Sequence, residues 1–169
     1  MGSFEDLTPF PDGTIGLSFS VESLSLANDR PKAVAEVNRV LQSGGRFIVV
    51  DGYLGQSAVA LTKEELVIRH LVGRGRELKE YETYSDFIDT AARGGFIIEG
   101  EVDVSTKVKG MLNKYEKKAK RFFETPVIAK PLSKIKSSDF AFEMISHYLM
   151  PLAVENGMAQ YKITVMRKS

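Results

Sequence analysis

Ile15, Leu17, Phe19 and Val21 alternate with Gly16, Ser18 and Ser20, the two-residue period of a strand with one apolar face. Downstream, Val34, Val37, Val40 and Leu41 recur at helical spacing. Asn28-Asp29-Arg30-Pro31 is a helix start, and Gly44-Gly45 is expected to end that helix. Phe47 to Val50 is an unbroken apolar run, the mark of a strand buried on both faces. Strands at about 15–21 and 46–51 with a helix between them make a parallel βαβ unit.

Thr62-Lys-Glu-Glu65 has the capping-box pattern and predicts a helix over 62–72, broken by Gly73 and Gly75. Thr83-Tyr-Ser-Asp86 opens another helix, carrying Phe87, Ile88 and Ala91 and stopped by Gly94-Gly95. A strand follows at 96–104. Helical periodicity returns over 107–124 and 139–156, with Pro126 and Pro131 between and Gly157 as the stop. Tyr161, Ile163 and Val165 alternate with Lys162 and Thr164, marking a last strand at 160–167. The chain reads as one α/β domain, 1–169, with 107–157 as a helical insert.

The 169 residues, 43% hydrophobic and 27% charged, suit one globular domain and exclude fibrous or wholly disordered classes. No apolar run reaches the roughly 18 residues of a membrane span, and the N-terminus is too acidic and polar for a signal peptide. A cytoplasmic protein is the expectation. There is no cysteine, so disulfides and thiolate chemistry are excluded. His70 and His147 have no ligand-spaced carboxylates, and no metal site is expected. Charge is uneven: residues 1–106 hold 10 basic and 17 acidic side chains, whereas 107–136 hold 10 basic against Glu116 and Glu124. A solvated helix face is the plainer account of that block, ahead of nucleic acid or a lipid surface.

One stretch is more specific. Phe4-Glu-Asp-Leu-Thr-Pro-Phe-Pro-Asp-Gly-Thr14, then Val21-Glu-Ser-Leu-Ser-Leu-Ala-Asn-Asp-Arg30, Glu36-Val-Asn-Arg-Val-Leu41, Gly44-Gly-Arg46 and Asp51 follow one another in order. This series resembles the second half of class I S-adenosylmethionine-dependent methyltransferases of the small-molecule type, as in the quinone, tocopherol and sterol enzymes. The sequence departs from that pattern at Thr8, at Ile15-Gly16 where phenylalanine-aspartate is usual, at Leu26 where histidine is frequent, and at Gln42-Ser43 before the diglycine. The resemblance implies a partial Rossmann-like sheet of parallel strands plus an antiparallel last strand, in the order first, second, fourth, third. It also implies methyl transfer from S-adenosylmethionine by in-line displacement to a small, apolar acceptor. The family's glycine-rich cofactor turn has no counterpart in the sequence, so the domain reads as truncated and inactive alone. A second copy of the chain or a separate N-terminal half is the expected partner.

Site candidates follow. Ser20, Val21 and Glu22 lie at the carboxyl end of the first strand, where ligands bind in open α/β sheets. Glu22 could orient a hydroxyl or amine or serve as general base; a solvated loop residue is the plain alternative. Asp51 and Tyr53 end the next strand and rank second, as substrate contacts. His147 lies among Phe140, Phe142, Met144 and Tyr148. It is a candidate base and Tyr148 a candidate substrate contact, although a lone histidine in such company is more often simply packed. Ser3 and Phe4 stand where the resemblance places adenine contacts, and with Ser20 and Val21 they make up the cofactor-binding set it implies.

Overall fold

The computed structural model describes residues 3–55, 61–76, 82–125 and 138–169. Gly2, the two linker prolines and the basic residues Lys130, Lys134 and Lys136 lie outside them. The chain divides into two compact units, one of Met1–Tyr53, Glu82–Val104 and Tyr161–Ser169, the other of Leu54–Tyr81 and Ser105–Gln160.

The first unit is built on a four-stranded sheet of β1 (Ile15–Val21), β2 (Leu41–Leu54), β3 (Phe96–Asp103) and β4 (Ala159–Lys168), in the order β1-β2-β4-β3. β1 runs parallel to β2, and β4 runs antiparallel to β3. The last strand is therefore internal, as the resemblance implied. Helices α1 (Arg30–Val40) and α3 (Tyr84–Arg93) bury one face of this sheet. Val34 and Val37 of α1 and Phe87 and Ala91 of α3 pack with Phe47, Val49, Phe96 and Met166 of the strands.

Local chemistry sets the helix starts. Asp29 caps α1 by accepting from Lys32 N at 2.9 Å, and Thr83 and Asp86 form a reciprocal capping box on α3. The N-terminal loop is clamped to α1 by two residues of the family-like series. Glu36 accepts from Leu7 N at 2.8 Å and from Arg39 Nε at 2.9 Å, and Arg39 Nη1 donates to the carbonyl of Phe10 and to Asp12. The Arg39 guanidinium holds the Glu36 carboxyl down to about 2. This clamp is complete above the ordinary glutamate range and is lost only as pH falls toward 2.

Three expectations need correction. α1 stops at Val40, four residues before the diglycine, and Leu41 already belongs to β2. The residues between, Gln42 to Gly45, bulge out of the β1–β2 ladder: Ile15 pairs with Leu41, whereas Leu17 pairs with Arg46. Ile15 therefore packs against the core, while Leu17, Phe19 and Val21 point away from it. The four apolar residues do not share one face.

The third correction lies in the second unit. There α2 (Lys63–Gly75), opened by the Thr62–Glu65 capping box, runs straight through Gly73 to Gly75. It packs with α5 (Ser138–Glu155), as does α4 (Lys109–Glu124). A Cβ on Gly75 would stand 2.1 Å from the Phe142 carbonyl oxygen and 2.5 Å from Ser146 Cβ. Gly73 thus lies inside the helix, and Gly75, its last residue, also admits the close approach of α5. Val72, Ala153, Met158 and Ala159 form this unit's own small core. Gly75→Ala should cost roughly 1–3 kcal/mol in urea unfolding, because the added methyl forces the helices apart. Gly110→Ala, which meets nothing within 4 Å, should leave stability unchanged or slightly raised. Equal effects would contradict the packing account.

Candidate functional site

β1 ends in a backbone that few side chains adopt. Glu22 has φ of 47°, the left-handed region, and is the one such non-glycine residue among those described. Its N–H still bonds the Val50 carbonyl at 2.9 Å, which keeps it tied to β2. Its Oε1 accepts from the Tyr161 hydroxyl at 2.6 Å. Backbone strain of this kind costs on the order of 1–3 kcal/mol and persists where surroundings hold it. Here the β1–β2 ladder and the Tyr161 bond hold it. Directly beside it, Ser20 Oγ and Ser23 Oγ share a hydrogen bond of 2.8 Å.

Asp51 is buried on the core side of β2, with its carboxylate accepting from Ser25 N at 3.0 Å and Gly52 N at 2.9 Å. It thereby fastens the short 3-10 turn Leu24–Leu26, which follows β1, to the end of β2. Burial pushes its pKa up, against the pull of the two N–H donors. Arg30 pairs with Glu82 close by and also reaches the Ser25 carbonyl. Tyr53 lies in the core against Tyr84 and Phe87, with ring centroids at 5.2 and 5.3 Å. Its hydroxyl has no hydrogen-bond partner, and burial pushes its ionisation far up. Of the two β2 candidates, one thus ties backbone and the other packs.

Ser3 and Phe4 lie on the N-terminal loop, both exposed; Ser3 Oγ accepts from Glu5 N at 3.1 Å. The first unit brings Ser20, Val21, Glu22 and Asp51 to neighbouring strand ends. It adds Ser23, Ser25 and Tyr161, which pattern reading did not single out. Tyr161 is 139 residues from Glu22, and only the internal placement of β4 puts them together.

His147 and Tyr148 belong to the second unit. The imidazole stacks on Tyr115 at 4.7 Å, and its Nδ1 is buried with no hydrogen-bond partner. Burial lowers its pKa below 6.5, with Arg76 and Lys118 adding to that and Glu143 opposing. This is the setting of a packed, neutral histidine. Tyr148 is exposed, edge-on to Phe123 and beneath Lys120 Nζ at 5.8 Å. Within the basic block, Lys109 pairs with Glu155 and Lys120 with Glu116, while Lys114, Lys117, Lys118 and Arg121 line the exposed side of α4. Among the described residues no three histidine or carboxylate side chains gather as metal ligands, and no helix is long and apolar enough to cross a membrane.

Because His147 is neutral in the fold, the unfolded chain binds more protons below pH 6.5. Its contribution to stability is complete above that pH and is lost as pH falls through the folded value. An NMR titration should place the His147 midpoint below 6.5, and His147→Gln should flatten the stability slope between pH 7 and 5. A midpoint at or above 6.5 would contradict the packed reading.

Residues 1–49 match the family described as the methyltransferase domain. No curated protein sequence matches the chain. Its fold is similar to that of the [4+2]-cyclase SpnF, with a TM-score of 0.68 and 18% identity over 99% of this chain and 54% of that one. A geranyl diphosphate methyltransferase solved with S-adenosylmethionine gives 0.69 and 19% over 99% of this chain and 56% of its own. Phosphoethanolamine N-methyltransferase 2 of Haemonchus contortus, solved with phosphomonomethylethanolamine and S-adenosylhomocysteine, gives 0.61 and 16% over 94% and 34%. The chain spans about half the length of the first two. The start of the chain thus matches the methyltransferase domain, and its fold as a whole is similar to that of solved methyltransferases.

Proposed function

We propose that this chain is a methyltransferase-like protein of the S-adenosylmethionine-dependent class, acting on a small apolar molecule, and that it transfers no methyl group by itself. The observation that carries the reading is the β1-β2-β4-β3 sheet with its antiparallel last pair, headed by a stretch that matches the methyltransferase domain. Solved relatives with this fold hold acceptors as different as geranyl diphosphate and phosphomonomethylethanolamine, so fold alone does not select one.

The residues proposed for the cofactor offer a nucleoside little hydrogen bonding from their own side chains. Ser3 and Ser20 spend their hydroxyls on Glu5 N and Ser23, Phe4 and Val21 offer only apolar surface, and none of the four is an acid. Asp51 is committed to two backbone N–H groups. What the chain does offer is Glu22, held by Tyr161 at the mouth of β1. A carboxylate so placed can orient an acceptor's hydroxyl or amine and take its proton. A second reading, a non-catalytic assembly module, is favoured by the uncovered sheet face described below.

Binding by the lone chain separates the parts of this reading. Each missing hydrogen bond to a charged partner is worth about 1.5–3 kcal/mol, so affinity for S-adenosylmethionine should fall by orders of magnitude. Calorimetric titration should show none up to millimolar cofactor, whereas a prenylated quinol should bind and Glu22→Gln should weaken it several-fold. Submillimolar cofactor binding would contradict the incomplete site. Absence of quinol binding would contradict the acceptor assignment.

A further inference from the structure

Among the described residues, helices pack on one face of the first unit's sheet. On the other, Leu17 is 56% exposed, Phe19 73%, Val21 55%, Ile97 46% and Val102 51%. They form two rows on one face, Leu17, Phe19 and Val21 on β1 and Ile97 and Val102 on β3, the two outer strands of the sheet. Phe19 pairs with Ile48, Val21 with Val50, and Val102 with Ile163, so each pair shares the face turned away from α1 and α3. Charge on this face includes Glu22, which accepts from the Tyr161 hydroxyl, and a cluster in which the single carboxylate of Glu99 accepts from Arg46 at 2.7 Å and from Arg167 at 2.9 Å. The exposed rows themselves are apolar.

β1 also forms an end of the sheet. Its sequence, Ile-Gly-Leu-Ser-Phe-Ser-Val, contains no charge and no proline. Edge strands that stay single are blunted by such residues. This one has only the bulge of its partner β2 opposite its Ile15 end.

We propose that this uncovered face, with the β1 row at its margin, is an interface with a second copy of the chain. The inference goes beyond methyl transfer and stands without it. Two features favour a copy over a differently charged partner. The apolar rows are uncharged, so they offer a charged surface little to recognise, and the carboxylates of Glu22 and Glu99 are already bonded within the chain. A two-fold axis would lay apolar rows on apolar rows. The five exposed side chains present on the order of 500 Å² of apolar surface, at the upper end for an ordinary monomer. Two such faces together would bury about twice that, close to the ~1,200 Å² at which specific interfaces begin.

Sedimentation velocity of the full chain tests this. The wild type should be dimeric at micromolar concentration. Phe19→Lys and Val102→Lys, at opposite sides of the face, should each weaken dimerisation at least tenfold while circular dichroism and melting stay those of the wild type. Phe123→Lys, on the second unit, should not. A monomeric wild type up to 100-fold higher concentration overturns the proposal, as does a dimer indifferent to both face variants. Loss with Phe19→Lys alone would place the contact at the strand edge and overturn the face. Because no outcome involves cofactor or acceptor, failure here leaves the methyl-transfer reading standing.

Discussion

A sheet has two faces, and the first unit must satisfy both with few elements. α1 and α3 take one face, and their apolar stripes meet Phe47, Val49, Phe96 and Met166. That packing fixes the strand register, since shifting a strand by one residue would turn its core side chains outward. The strand ends are then placed by the same face: Asp51 points inward and ties the turn after β1, while Tyr161 points the other way and reaches Glu22. The candidate site and the uncovered surface are two consequences of one half-covered sheet.

This arrangement explains why the family-like series reads as it does. Glu36 and Arg39 lie three apart on α1 so that together they can hold the loop carrying Leu7, Phe10 and Asp12. They add to the hold of Glu5, which accepts from Asn28 N and Asp29 N, and of Gly13 and Thr14, whose N–H groups bond the Arg39 and Val40 carbonyls. The chemistry nearest the ligand side is sparser. It consists of one strained carboxylate with a tyrosine partner, two serines sharing a hydrogen bond, and a buried aspartate occupied with backbone.

Sequence was most legible where the physics is local. Asp29, the Thr62–Glu65 pair and the Thr83–Asp86 pair cap helices through residues three apart, and each cap was readable in advance. The internal position of β4 was legible through family resemblance, since its alternation alone is compatible with several places in a sheet. Gly73 misled because the helix runs on through it to Gly75, where a glycine both ends the helix and admits the neighbouring α5. Ile15 misled because a bulge at Gln42–Gly45 on the partner strand, not on its own, turns it inward. Tyr161 could not be found because its role depends on a contact across 139 residues. His147 was recognisable as either base or core, and its unpartnered, stacked ring fits the core.

The half-covered sheet is most directly tested by amide hydrogen exchange followed at several protein concentrations. Protection over Leu17–Val21 should rise with concentration as a second copy covers the face, while the internal β4 around Thr164 and Met166 stays equally protected throughout. Concentration-independent exchange in β1, or exchange in β4 as fast as in β1, would contradict the account.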